Sequence, residues 1–325
     1  MKTTKISVIA GLAIGVLTSG ATMTVHAQEA KEECSLRIAT GPASGVYTQL
    51  ARDIQKVCGK AASVCQVPST GGLQNLMLLS ASEADIGFVQ VDVLQQMAKE
   101  GDQNIQELQA VMPMHANLLH VITKTDGSVV GANKWNPMSG EQRVYRKFSD
   151  LKGAKVATVG SAQALGQALE RQLGYGMGFV LANTDDEAIK MLQSNQVQAV
   201  FTTGGWPYPS VSRHASTSGL MLAEYDLSPQ TPLTTTKRNY TNLGAYNYRF
   251  LSAPNLLVTR PFKPTGEKGK QVAALQNCIA SHMDELQEGQ YHAAWKEVRN
   301  VGDTLGITRY GKSDVTKATV RTATR

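Results

Sequence analysis

Apolar side chains recur at three- and four-residue intervals through Val46, Leu50, Ile54 and Val57, and again through Leu73, Leu76, Met77 and Leu79. That spacing gives a helix one buried face. Around these stretches lie apolar runs of strand length: Leu36 to Thr40, Val64 to Val67, and Ala84 to Gln90. Turn-forming residues separate them, Gly41-Pro42-Ala43-Ser44-Gly45 before the first helix and Ser69-Thr70-Gly71-Gly72 before the second. Ser44 stands where an N-cap belongs, and the first helix runs from Val46 to about Cys58. The order strand, helix, strand, helix, strand predicts a parallel sheet covered on both faces.

A second set follows a Gly-, Asn-, Pro- and Lys-rich stretch, residues 126–147, which reads as an exposed insertion. A strand is predicted from Lys155 to Val159, and Gly160-Ser161-Ala162-Gln163 opens a helix through about Leu173. Asp185 or Asp186 is the expected cap of a helix carrying Ala188, Ile189 and Leu192, and Val197 to Thr202 is a strand ending at Thr203-Gly204-Gly205. The two sets read as weak copies. Ala39-Thr40 and Ala157-Thr158 each end a strand before a turn and a helix, and Leu79 through Phe88 matches Leu192 through Phe201 in length and end residues. The expected fold class is therefore α/β with two lobes, each a mainly parallel sheet flanked by helices. The expected organisation is a leader at 1–27, the first part of lobe 1 at 28–122 and lobe 2 at 123–215 with its insertion. A return segment at 216–311 completes the lobes, and a disordered tail occupies 312–325.

The leader changes the compartment. Lys2 and Lys5 precede an apolar run from Ile6 to Leu17, and small and polar residues lead to Val25-His26-Ala27. This is the layout of a secretory signal, with cleavage expected after Ala27. The run is shorter than the ~20 residues that span a bilayer. The formal net charge is +6, without a dense basic stripe interleaved with aromatics, which argues against nucleic acid as a partner. Four cysteines in an exported chain suggest two disulfides with three possible connectivities. Closeness in sequence favours Cys58–Cys65, which leaves Cys34–Cys278. The spacings match no zinc pattern, and neither a metal nor a cofactor is expected.

In an open α/β sheet, ligands bind beyond the carboxyl ends of the strands, where the next helices begin. Here those ends are Gly41–Tyr47, Ser69–Asn75, Gln90–Asp92, Gly160–Gln163 and Thr202–Trp206. They supply mainly small residues, hydroxyls and amides. Helix starts also carry unpaired N–H groups and partial positive charge, so they accept carboxylates without an arginine. Ser44, Gly45 and Gly71 lie in these turns. Trp206, after Gly204-Gly205 and before Pro207, is read as a cleft wall. Asp92 is read as a backbone-bonding hinge residue. Catalytic lookalikes fail: Ser44 is one place late for a nucleophile elbow, Gly174-Tyr175-Gly176-Met177-Gly178 follows a helix, and Gly71-Gly72 lacks a phosphate-binding lysine. No enzyme is expected, because the strand ends lack a paired nucleophile and base.

Leu36-Arg37-Ile38-Ala39-Thr40-Gly41 with Ser44-Gly45-Val46-Tyr47 resembles the opening strand and turn of the TAXI solute receptors, the binding subunits of one class of TRAP transporters. Ser69 through Leu76 is similar to their second motif, Glu83 through Asp92 to their third, and Asp150-Leu151-Lys152-Gly153 through Ser161 to the start of their second lobe. The resemblance covers roughly residues 36–260. It implies a type II periplasmic binding protein fold with a ligand cleft between the lobes and a periplasmic receptor; separately from the resemblance, a monomer is expected. That receptor would capture a small anionic or zwitterionic solute, an amino acid or a di- or keto-carboxylate, for a membrane transporter. The alternatives are a receptor that signals to a membrane sensor, or an enzyme on the same scaffold. Carried over by motif, Tyr47, Thr70, Asn75 and Gln90 would contact the solute from the first lobe, and Ser161 and Gln163 from the second. The segment Trp206-Pro207-Tyr208-Pro209 departs from the family pattern.

Overall fold

A computed structural model of the chain describes residues 34–131, 140–214, 218–299 and 304–311. The expected leader, the expected tail and residues 132–139 of the insertion lie outside the described residues. The first set of elements is β1 (Leu36–Ala39), α1 (Val46–Cys58), β2 (Val64–Val67), α2 (Gly72–Ser80), β3 (Ile86–Gln90), α3 (Val91–Lys99) and the single turn α4 (Gln103–Gln106). The long strand β4 (Gln109–Lys124) then leads to a hairpin of β5 (Ser128–Val130) and β6 (Glu141–Arg143). The second set is β7 (Lys155–Val159), α5 (Ala162–Leu173), β8 (Gly178–Ala182), α6 (Asp185–Gln193), β9 (Ala199–Gly204) and the short α7 (Pro209–Ser212). The return consists of β10 (Leu220–Leu222), β11 (Thr234–Tyr240), β12 (Ala245–Thr259), α8 (Glu267–Ser281) and α9 (Met283–Glu288). Among the described residues no helix is long and apolar enough to cross a membrane.

The main sheet runs β2-β1-β3-β12-β4-β9-β7-β8, with β10 added to β4 and β11 to β12. Within each lobe the first three strands are parallel. β12 is antiparallel to both β3 and β4, and β4 is antiparallel to β9. Followed across the sheet, these directions make the parallel strands of one lobe run against those of the other. Gln90, the end of β3, pairs with Asn255, which lies between Pro254 opposite Ala116 and Leu256 opposite Pro113. Gly204, the end of β9, pairs with Leu118. The carboxyl ends of the two lobes therefore meet on β4, and Asn117 sits at the meeting point.

Each lobe has two apolar layers, one per sheet face. In lobe 1, Leu36 and Ile38 pack with α1 and α8, whereas Ala39 packs with α2 and α3. In lobe 2, Ala157 and Val200 pack with α6, and Val156 and Phe201 pack with α5. The suspected repeat holds in register: Ala39 pairs with Gly87, just before Phe88, and Ala157 pairs with Val200, just before Phe201.

Two expected caps are corrected. The α1 N-cap is Gly45, with no side-chain hydrogen bond, so Ser44 does not cap it. The α6 cap is Thr184, whose hydroxyl accepts from the Glu187 N–H at 3.1 Å, and Asp185 falls inside the first turn.

The favoured cysteine pairing is also corrected: the disulfides are Cys34–Cys65 and Cys58–Cys278, with Cα separations of 5.6 and 5.9 Å. The reason is strand alternation. Val64 points into the layer that contains α1 and Cys58, so the next residue, Cys65, points to the opposite face. Cys58 instead meets α8, whose Val272, Leu275 and Ile279 share its layer. The loops closed span 31 and 220 residues, worth about 4 and about 5 kcal/mol in the chain-entropy model. Non-reducing peptide mapping should recover these two linkages; a Cys58–Cys65 peptide would contradict the packing argument.

Candidate functional site

The cleft between the lobes encloses about 230 Å³. Lobe 1 lines it with the turn before α1, with Thr70, Gly71 and Gly72 before α2, and with Gln90 at the end of β3. Lobe 2 contributes Val159–Ser161 before α5, Asn183–Asp186 at the start of α6, and Thr202–Gly205 with Tyr208, Ser210 and Arg213 after β9. Asn117 of β4 lies between them. The lobes touch directly. The Leu73 N–H of α2 donates to the Ser161 Oγ at 3.1 Å, so a hydroxyl of lobe 2 caps a helix of lobe 1 that has no side-chain cap of its own. At Gly160, with φ of 54°, a Cβ would come within 2.8 Å of the Thr70 carbonyl oxygen across the gap. Only glycine fits there with the lobes together.

Ser44, Gly45, Tyr47, Thr70, Gly71, Gln90 and Ser161 line this cleft. Three other expected residues do not. Asn75 is fully buried behind it, where its Nδ2 donates to the carbonyls of Thr40 (2.6 Å) and Phe88 (2.8 Å) and its Oδ1 accepts from Ser69 Oγ (2.6 Å). The side chain braces α2 against the ends of β1 and β3. Trp206 turns away towards β11: its Nε1 donates to the Asn239 carbonyl, and the Arg238 guanidinium lies 5.5 Å from its ring centre. Gln163 sits one residue inside α5 and is not among the cleft residues.

Tyr47 serves both cleft and core. Its ring stacks on Phe88 at 5.1 Å, while its hydroxyl accepts from Asn117 Nδ2 (2.8 Å) and donates to Asn255 Oδ1 (2.8 Å). Asn117 also donates to Gln90 Oε1 at 3.0 Å. Burial raises the Tyr47 hydroxyl pKa, so it stays a proton donor. Both long strands are thereby fastened to the α1 start by amide side chains. Sequence reasoning missed these residues, although an isolated Asn in the apolar run from Val111 to Ile122 is a legible signal.

Across the cleft, Asp185 Oδ1 accepts from Thr202 Oγ1 (2.6 Å) and its Oδ2 from the Tyr208 hydroxyl (2.7 Å). Burial, and then the neighbouring Asp185 carboxylate, raise the Tyr208 hydroxyl pKa. The Tyr240 hydroxyl accepts from the Tyr208 N–H and lies 2.8 Å from His120 Nε2. Asp186 pairs with Arg213. Thr202 belongs to an expected strand end, whereas Asp185, Asp186 and Arg213 were not foreseen as cleft residues, and applying the strand-end rule to β8 would have reached the first two.

Two histidines stand beside the cleft in full burial. Burial, helped by His292, pushes His115 down to about 3, and burial pushes His120 down to about 4. Gly205 of lobe 2 covers His115 so closely that a Cβ would come within 2.8 Å of its ring.

Residues 38–231 match the model of the NMT1-like family. No curated protein matches significantly. Among solved structures, the chain is similar to the substrate binding protein of an amino acid ABC transporter, at 11% identity and a TM-score of 0.47 over 81% of this chain and 96% of that one. It is also similar to an ancestral arginine-binding protein bound to arginine, at 15% identity and a TM-score of 0.47 over 78% and 96%. A third is the VFT2 domain of Bordetella pertussis BvgS, at 18% identity and a TM-score of 0.46 over 81% and 93%.

Two measurements test this geometry. Asn75→Ala should lower unfolding stability by about 2–3 kcal/mol in urea titration, because it removes the buried hydrogen bonds to the Thr40 and Phe88 carbonyls and from Ser69; a loss below ~0.5 kcal/mol would contradict the bracing role. The second is pH dependence. The buried histidines stay neutral when folded and bind protons near pH 6.5 only when unfolded, so their contribution is complete above ~6.5 and is lost as pH falls towards 4. Asp92 is pushed up to about 6 by burial and acts in the opposite sense, favouring the folded form as pH falls. From pH ~7.5 to ~5 the histidines cost about 4 kcal/mol and Asp92 offsets about 1, a net loss of about 2–3. Tm should be lower at pH 5, and an unchanged Tm would count against neutral buried histidines.

Proposed function

The chain belongs to the NMT1-like family, and on that premise we propose that it is a periplasmic solute receptor which traps a small carboxylic acid between its lobes and performs no chemistry on it. The observation that carries this reading is the cleft itself. Strand ends and helix starts from both lobes surround about 230 Å³, below the ~300–1,000 Å³ of pockets for drug-sized ligands. The start of α1 supports the choice of an acid. No side chain caps it, and Gly45 and Val46 face the cleft there. A carboxylate placed at such a start gains roughly 0.3–1 kcal/mol when exposed and up to ~2 when partly buried, before direct hydrogen bonds are counted. The start of α2 is less available, because Ser161 holds the Leu73 N–H and Ser69 holds the Gly71 N–H.

Capture proceeds by closure in this reading. β4 and β12 run through both lobes and act as the hinge, and contacts such as Leu73 to Ser161 form when the lobes meet. The solute then loses its water to a site of hydroxyls, amides and backbone groups. The resemblance of the three lobe 1 motifs and the lobe 2 start to TAXI receptors supports delivery to a TRAP-type membrane transporter as the purpose of the trap.

Calorimetry and thermal-shift screening of amino acids and di- or keto-acids should reveal a ligand of roughly micromolar affinity, about −8 kcal/mol, that raises Tm without being consumed. Gly160→Ala should weaken that ligand at least tenfold by holding the lobes apart. Product formation from the bound acid would replace the receptor reading with an enzymatic one, and full affinity in the glycine variant would remove closure from it.

A further inference from the structure

The charges lining the cleft are divided unequally between the lobes. Lobe 1 presents only neutral groups: Gly41–Tyr47 without Ala43, Thr70–Gly72, Gln90 and, from the shared strand, Asn117. Every ionised side chain comes from lobe 2, namely Asp185, Asp186 and Arg213. Arg213 is committed to Asp186. Asp185 is left with hydroxyl donors alone, Thr202 on one oxygen and Tyr208 on the other, and no lysine or arginine among the described residues pairs with it. Those hydroxyls fix the direction of the carboxylate, and the start of α6 offsets part of its charge, but no cationic side chain neutralises it. A carboxylate enclosed by a closing cleft is costly unless a positive group meets it.

Building on the receptor reading above, we infer that the solute carries a protonated amine as well as a carboxylate, and that Asp185 selects for the amine. The carboxylate of the solute lies at the uncapped start of α1 in lobe 1, and its ammonium group lies at Asp185 in lobe 2. Such a zwitterion is attracted to both walls with opposite charges, so each end favours bringing the lobes together. A 2-oxo acid offers Asp185 a carbonyl oxygen instead of N–H donors. A dicarboxylate brings a second negative charge towards Asp185 and Asp186. Both leave the Asp185 charge unmatched in the closed state. The acid at the strand end of β8 thus separates amino acids from the di- and keto-carboxylates that share their carboxylate.

The test uses the full chain and matched pairs of identical skeleton: L-glutamate with 2-oxoglutarate, L-alanine with pyruvate, L-leucine with 4-methyl-2-oxopentanoate, and succinate as a dicarboxylate. Calorimetry should find at least one amino acid bound 100-fold or more tightly than its oxo partner. In Asp185→Asn the preferred amino acid should lose at least 100-fold, while the affinity of its oxo partner holds or improves, with an unchanged circular dichroism spectrum reporting the fold. Preference of the unaltered chain for an oxo acid or succinate would overturn the inference and leave the acid-receptor reading standing. This comparison needs no variant. Equal amino acid affinity in Asp185→Asn would overturn it as well. Failure of every pair to bind would instead strike the acid-receptor reading, and the inference with it.

Discussion

Everything in this molecule depends on two strands that belong to both lobes. Because β12 is antiparallel to β3 and to β4, and β4 is antiparallel to β9, the two sets of parallel strands run head to head within one sheet. Their carboxyl ends, and the helix starts that follow, have nowhere to point except the same gap. The position of the cleft is thus a consequence of strand direction, and side chains only decide what the cleft accepts. The amides of Asn117 and Asn255 occupy the point where the directions reverse, and through Tyr47 and Gln90 they bind the shared strands, a helix start and a strand end into one polar cluster.

The same crossing brings the two lobes together with tight tolerances. Gly160 meets the Thr70 carbonyl and Gly205 meets His115 with no room for a methyl group, and Ser161 supplies the missing cap of α2. These contacts join residues that are 88 or more positions apart in the chain. They hold the two lobes against each other through a small number of specific contacts.

Much of the fold was legible in the sequence because it rests on local periodicity. The α1 boundaries, β2 and β7 follow from runs whose apolar spacing is unambiguous, and the pairing of Ala39-Thr40 with Ala157-Thr158 reflects a true equivalence of register. The strand-end rule located seven of the ten expected cleft residues in the cleft wall. What escaped was decided by direction in space. Asn75 occupies the right turn but points back into lobe 1, and Trp206 follows the right strand but folds against Asn239 and Arg238. Cys65 is seven residues from Cys58 yet lies on the other face of the sheet. Asp185 looked like a cap because its role depends on Thr202 and Tyr208, neither of which is its neighbour in sequence.

The late position of β12 has a consequence for how this chain reaches its native form. Lobe 1 begins at residue 36, yet the strand that fills the centre of its sheet, between β3 and β4, is not available until residues 255–259 have been made. The lobe 1 half of the sheet cannot finish early. The packing of β3 on β12 and of α1 on α8 must wait for the last third of the polypeptide, a topology that slows folding because long loops close before they are rewarded. A nascent chain of this design stays incomplete, and therefore open to other handling, for most of its synthesis.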